Sequence, residues 1–156
     1  MSDAPQAPQE ALQSVVRDML SHLGVEGVVQ VLPPLSDGPT TVMINSDDAA
    51  RYLIGKGGQT LQALEHVIRL MWSRHTGEHT SLVVDVNDYR REQASKVTQL
   101  AHDAATRVRI SGKSEALEPM TAAERRIIHT ELATYNDLVT ESIGQDPNRR
   151  VVIKPL

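Results

Sequence analysis

The stretch that decides the reading of this chain is Leu53-Ile54-Gly55-Lys56-Gly57-Gly58-Gln59-Thr60-Leu61. Three glycines in four positions cost chain entropy on folding. The segment therefore needs either positive φ angles or close approach of its backbone to another group. Lys56 at the tip, together with the N–H groups of the helix that follows, points to an anion. A P-loop would need a strand before the glycines and Gly-Lys-Ser/Thr at their end; here a helical segment precedes and Gly-Gln-Thr follows. The dinucleotide fingerprint fails on spacing and on the preceding strand. A plain turn between helices is the remaining alternative, although such a turn rarely needs Gly at both ends.

Working outward, Leu12, Val15, Val16, Met19, Leu20 and Leu23 recur at helical spacing, and Gly24 is placed to end that helix. Val28 to Leu32 reads as a strand, followed by a turn-rich Pro-Pro-Leu-Ser-Asp-Gly-Pro. Thr41 to Ile44 reads as a second strand, and a short helix runs from about Asp47 to Leu53. Beyond the glycines, Leu61, Leu64, Val67, Ile68, Met71 and Trp72 mark an amphipathic helix with Trp72 in the core. Gly77 closes it, and Leu82 to Val86 makes a third strand. The order α-β-β-α-(Gly loop)-α-β predicts an α+β layer with helices on one face of a small sheet.

In that setting the quoted stretch resembles the KH-domain signature: an apolar pair, then Gly-x-x-Gly, then an apolar residue three further on. The element order matches the type II, prokaryotic KH arrangement. The resemblance implies that Ile54, Gly55, Lys56, Gly57, Gly58 and Gln59 clamp the backbone of about four nucleotides, with the bases along an aliphatic groove. The aromatic content of 3% agrees, because RRM and OB modes need exposed rings for stacking.

The second half predicts a long helix from Asn87 to about Ile110, carrying Tyr89, Ala94, Val97, Leu100, Ala101, Ala104 and Val108 on one face and Gly112 beyond its end. After Pro119, Thr121 and Glu124 form a capping box for a helix reaching about Leu132. Strands near Leu138–Ser142 and Arg150–Ile153 follow, joined by a turn with Gly144, Asp146, Pro147 and Asn148. On the helix, Arg125 and His129 lie one turn apart on the same face, a guanidinium fork beside an imidazole, which suits phosphate. By spacing alone the better reading is surface residues flanking the apolar Ile128/Leu132 stripe, with His129 half-buried against the core. Arg149 and Arg150 read equally as a solvated hairpin end.

Leu117-Glu118-Pro119-Met120, the Arg-Arg-Ile-Ile-His helix and Asn148-Arg149-Arg150-Val151-Val152-Ile153 resemble the R-3-H domain of the KhpB family, also called Jag or EloR. That resemblance spans residues 12 to 153. It implies single-stranded nucleic-acid binding by Arg125, Arg126, His129, Arg149 and Arg150. It further implies a post-transcriptional role in cell elongation and division, and pairing with a KhpA-like KH partner or a second copy. Family members often carry an N-terminal Jag domain, where this sequence has a short tail. They also often have two basic residues in the Gly-x-x-Gly loop, where Gly57 takes the second place here.

The expected organisation is a disordered Pro- and Gln-rich tail over 1–10, a KH domain over 11–87, and a linking helix with the R-3-H domain over 88–156. The net charge of −4 argues against nucleic acid, but its distribution softens the objection. Residues 1–50 hold Arg17 against seven acidic side chains, so the remainder carries 15 basic against 13 acidic. With no Cys, disulfides, thiolate zinc sites and cysteine nucleophiles are excluded. The six His residues (22, 66, 75, 79, 102 and 129) are scattered without metal-ligand spacing, and Gly77 separates His75 from His79. Asp88 reads as a helix N-cap rather than a catalytic acid. The expectation is a binder of single-stranded RNA, with single-stranded DNA open, and no enzyme, cofactor or metal. It is soluble and cytoplasmic, since no signal pattern or apolar run of about 20 residues is present. The long helix would set the spacing of two sites on one strand.

Overall fold

The first helix, α1 (Gln6–His22), buries Leu12, Val16 and Leu20, spaced four apart so that they share one face. Leu23, expected on that stripe, is exposed. The computed structural model describes residues 6–34, 36 and 38–156. The tail expected over 1–10 is shortened accordingly: helix begins at Gln6, and residues 1–5 lie outside the described residues. The reason is local. Gln9, Glu10 and Ala11 are good helix formers, and Pro8 falls in the first turn, where its missing N–H breaks no bond.

Strands β1 (Val28–Leu32), β2 (Thr40–Asn45) and β3 (Leu82–Val86) form a sheet in the order β1-β2-β3. β1 and β2 are antiparallel with Val29 opposite Ile44; β2 and β3 are parallel with Val42 opposite Val84. The parallel pair needs a crossover, and α2 (Ala50–Ile54) and α3 (Gln59–Thr76) supply it. α2 starts later than the expected Asp47 because the Ser46 hydroxyl takes the Ala49 N–H at 3.3 Å in a local turn. α3 turns Leu61, Leu64, Ile68 and Trp72 inward, a narrower stripe than expected, with Val67 and Met71 left exposed. These residues and the fully buried Val42, Ile44, Val84 and Val86 make one aliphatic core.

A two-residue link, Asn87 and Asp88 at φ 50° and 59°, leads from β3 into α4 (Tyr89–Ser111). Asn87 tolerates that conformation and uses it: its amide donates to the Ser46 carbonyl at 2.8 Å and accepts from the Ser46 N–H at 3.0 Å. The first-turn N–H of Arg90 donates to the carboxylate of buried Asp85 at 3.2 Å. Thus Asp85 supplies an acceptor to the first turn of α4.

The chain divides into two units between Arg90 and Arg91. In the second, α4 turns Val97, Ala101, Ala104, Ala105 and Val108 inward, while Leu100, expected among them, is exposed. They pack with Ile128 and Leu132 of α5 (Ala122–Leu132) and with Leu138, Val151 and Ile153 of the sheet. That sheet has the order β4-β6-β5, with β4 (Glu115–Ala116), β5 (Leu138–Ile143) and β6 (Arg150–Pro155) antiparallel throughout. The two-residue β4 was not foreseen from sequence. The whole is α+β, and among the described residues no helix is long and apolar enough to cross a membrane.

Candidate nucleic-acid interface

In the first unit the glycine loop is a single 3-10 turn, Lys56–Gly58, wedged between α2 and α3. Gly55 has φ 71° and ψ −175°, a region essentially closed to other residues. A Cβ there would lie 2.0 Å from the Thr60 hydroxyl and 3.0 Å from the Thr60 backbone nitrogen. Gly58, at φ 79°, would place a Cβ 3.1 Å from the Tyr89 ring. Gly57 differs: φ is 58° but nothing lies within 4 Å of an added Cβ. The outer glycines are thus fixed by packing, and the middle one faces open space.

The backbone of the loop is tied inward. The Gly55 N–H donates to the Arg51 carbonyl at 3.0 Å, and the Gln59 N–H to that of Lys56. Lys56, Gly57 and Gln59 are exposed, Ile54 is half-buried and Gly58 buried. One cation therefore stands on a rigid turn at the positive end of an 18-residue helix, a suitable seat for a phosphate. Further along α3, Glu65 accepts from Arg69 and from Arg90, each at 2.6 Å. Tyr52, on α2 just before the loop, is exposed with the Arg51 guanidinium 5.0 Å from its ring centroid. Sequence reasoning gave Tyr52 no role.

In the second unit the capping box forms as expected. The Thr121 hydroxyl accepts from the Glu124 N–H at 3.3 Å, and Glu124 accepts from the Thr121 N–H at 2.7 Å. Gln93 of α4 adds a third donor at 2.7 Å. Burial pushes the Glu124 carboxyl up, but the donors from Gln93 and Thr121 together hold it below its ordinary range.

Arg125 and His129 do share a face of α5, and that face is turned toward the protein. Arg125 is buried, and its Nη1 donates to the Met120 carbonyl at 2.7 Å and to the Asp146 carboxylate at 2.9 Å. His129 is half-buried between two hydroxyls, with Nδ1 2.7 Å from Thr140 Oγ1 and Nε2 2.7 Å from Ser142 Oγ. Alternate residues of β5 face one side, which is why both hydroxyls meet the ring. Burial, then the charges of Arg125 and Arg149, lower the His129 pKa and so favour the neutral ring. Arg126 and Arg149 are exposed and Arg150 is half-buried. The partners Asp146, Thr140 and Ser142 went unnoticed in the sequence; alternation along β5 was a usable signal for the last two.

The second unit coincides with a match to the family model of the R-3-H domain over residues 95–155. An α+β chain with a Gly-x-x-Gly loop in its first unit and this domain in its second is thereby defined. Three relatives narrow it further. The RNA-binding protein KhpB of Lactiplantibacillus plantarum is 35% identical over 153 residues, 94% of this chain and 47% of that protein. The protein of the same name from Bacillus subtilis is 41% identical over 108 residues, 68% of this chain and 52% of its own length. That of Clostridium symbiosum is 36% identical over 112 residues, covering 72% and 50% respectively. The chain carries an R-3-H domain and is similar to these KhpB proteins, to the first of them over most of its own length. It spans about half the length of the curated relatives it matches.

Proposed function

We propose that this protein binds single-stranded RNA as a non-enzymatic regulator in the cytoplasm, acting on messages of cell elongation and division. The observation that carries the reading is the glycine loop: rigid outer glycines, an open Gly57 and exposed Lys56 at the start of α3. A strand backbone would lie across Gly57, with a phosphate on Lys56 and the first-turn N–H groups of α3. The relatives named RNA-binding proteins support the same class of ligand. A second segment of the strand would meet the R-3-H unit at Arg126, Arg149, Arg150 and His129. Two weak sites on one chain raise the local concentration of the second segment, so modest contacts suffice.

The test is fluorescence-anisotropy binding of a labelled single-stranded RNA pool at two salt concentrations, comparing the wild type with a protein in which Lys56 and Gly57 are both Asp. Loss of salt-sensitive binding with circular dichroism intact supports the loop. Equal binding by both proteins moves the site to the R-3-H face. A matched DNA pool distinguishes the two nucleic acids.

The exposed outer face of α3, with Val67, Leu70 and Met71, favours a second reading for the first unit: pairing with a KhpA-like KH domain or a second copy. Sedimentation of the purified protein, alone and mixed with such a domain, tests it.

A further inference from the structure

The R-3-H unit carries a carboxylate where a phosphate-binding surface has least use for one. Asp146 lies in the turn between β5 and β6, three residues before Arg149, with its side chain 66% exposed. An exposed anion beside the cations of that turn repels a nucleic-acid backbone. Its partner is as unexpected. Arg125, the residue of the helix best suited to fork onto a phosphate, has a side chain only 7% exposed.

We infer that Arg125 and Asp146 are positioning residues, which hold the β5–β6 turn so that exposed Arg149 is set to meet a nucleic-acid backbone. This rests on the RNA-binding reading proposed above. The connections run through one short segment. Arg125 Nη1 donates to both the Met120 carbonyl and Asp146, at 2.7 and 2.9 Å. The Met120 N–H in turn donates to the Arg149 carbonyl at 3.1 Å. The turn is closed on itself by the Asn148 N–H on the Gln145 carbonyl at 2.8 Å. A single guanidinium thus ties α5, the segment before it and the turn. With two acceptors on one nitrogen and little exposure, it is poorly placed to leave them for a phosphate, because a buried cation depends on its partners. Arg149 remains exposed, and its charge is the third cause, after burial and Arg125, that lowers the His129 pKa. The carboxylate of Asp146 is explained as the anchor of that arrangement.

The experiment is Asp146→Asn in the full chain, a nearly isosteric change at an exposed side chain that keeps an oxygen for the guanidinium, with circular dichroism confirming that the fold is retained. Its probe is a fluorescein-labelled single-stranded RNA of random sequence. Counting charge alone, removing an anion strengthens binding. If Asp146 positions Arg149, binding weakens by about twofold to fivefold, the range of one exposed ion pair, and the slope of log affinity against log salt falls by about one. Asp146→Glu, which keeps the carboxylate, restores both. A second cycle needs no RNA: NMR titration of His129 in Arg149→Ala and in the double variant with Asp146→Asn. Arg149→Ala raises the His129 midpoint in the wild-type background and leaves it in place once Asp146 is Asn. Tighter binding by Asp146→Asn, or an equal His129 response in both backgrounds, overturns the positioning role. No RNA binding by the wild type, with the NMR cycle as expected, overturns the RNA reading and leaves the positioning role standing.

Discussion

The ring of Tyr89, the first residue of α4, closes over Gly58: a Cβ at that glycine would stand 3.1 Å from Tyr89 Cε1 and 3.3 Å from the phenolic oxygen. The last glycine of the loop is therefore held by a residue more than one element away, while Gly55 is held by Thr60 in the adjoining turn. The loop is a part with two fixed ends.

Alanine substitutions should rank accordingly. Gly57→Ala meets no atom within 4 Å and bears only the left-handed backbone, about 1 kcal/mol. Gly58→Ala adds contact with the Tyr89 ring, which Tyr89→Ala would partly relieve. Gly55→Ala adds a clash with Thr60 Cβ at 2.8 Å and costs about 3 kcal/mol in all. Urea unfolding monitored by Trp72, buried in the same unit, reads the order. Equal losses at all three positions would contradict it.

The open space at Gly57 leads to the opposite kind of substitution. Gly57→Lys should tighten RNA binding and steepen its salt slope by about one, since a second cation then meets the backbone. The same change should lower stability by about 1 kcal/mol through its φ of 58°. Unchanged affinity in anisotropy titrations would mean that the strand does not pass this residue.

His129 makes stability and binding respond to acid in opposite directions. Its pKa is lowered in the folded protein, first by burial and then by Arg125 and Arg149, relative to an ordinary 6.5. Folding thus favours the neutral ring. The contribution is complete above about pH 6.5 and is lost as pH falls from there through the lower folded value. The thermal midpoint should decline over that window, and His129→Gln should remove that part of the decline. A phosphate nearby stabilises the protonated ring, so RNA affinity should rise over the same window. A wild type and a His129→Gln protein with parallel profiles in both assays would remove His129 from both roles.

The capping box offers a purely local test. Thr121→Ala leaves the Glu124 N–H without its side-chain acceptor at the start of α5 and should cost about 1 kcal/mol. Chemical denaturation measures the loss directly, and a change within error would show that Glu124 alone holds the helix end.

What could be read from the sequence follows how local each signal is. The capping box and the glycine loop are encoded within a few consecutive residues, and both were legible. The α3 stripe was legible in type but too wide, because periodicity does not say which apolar residues at its edge, here Val67 and Met71, meet a partner element. β4 is two residues long, below any period. Arg125 shows the deeper limit. Its spacing from His129 correctly put both on one face, yet the carboxylate that Arg125 meets there is Asp146, 21 residues away across a turn. No residue near Arg125 announces that partner.

The parallel pairing of β2 with β3 has a kinetic consequence. Thr40 meets Leu82 and Ile44 meets Val86 only after the whole crossover of α2, the glycine loop and α3 has been closed. The second unit, by contrast, rests on a hairpin of neighbouring strands, β5 and β6. Non-local pairing is slow because loop-closure entropy is spent before contacts return it. The first unit should therefore mature last, although it is synthesised first, and a chain stalled before Val86 lacks the β2–β3 pairing. In stopped-flow refolding, burial of Trp72, the single tryptophan, should lag the helical signal. The capacity of the loop to hold a strand would then switch on with the arrival of its final β-strand.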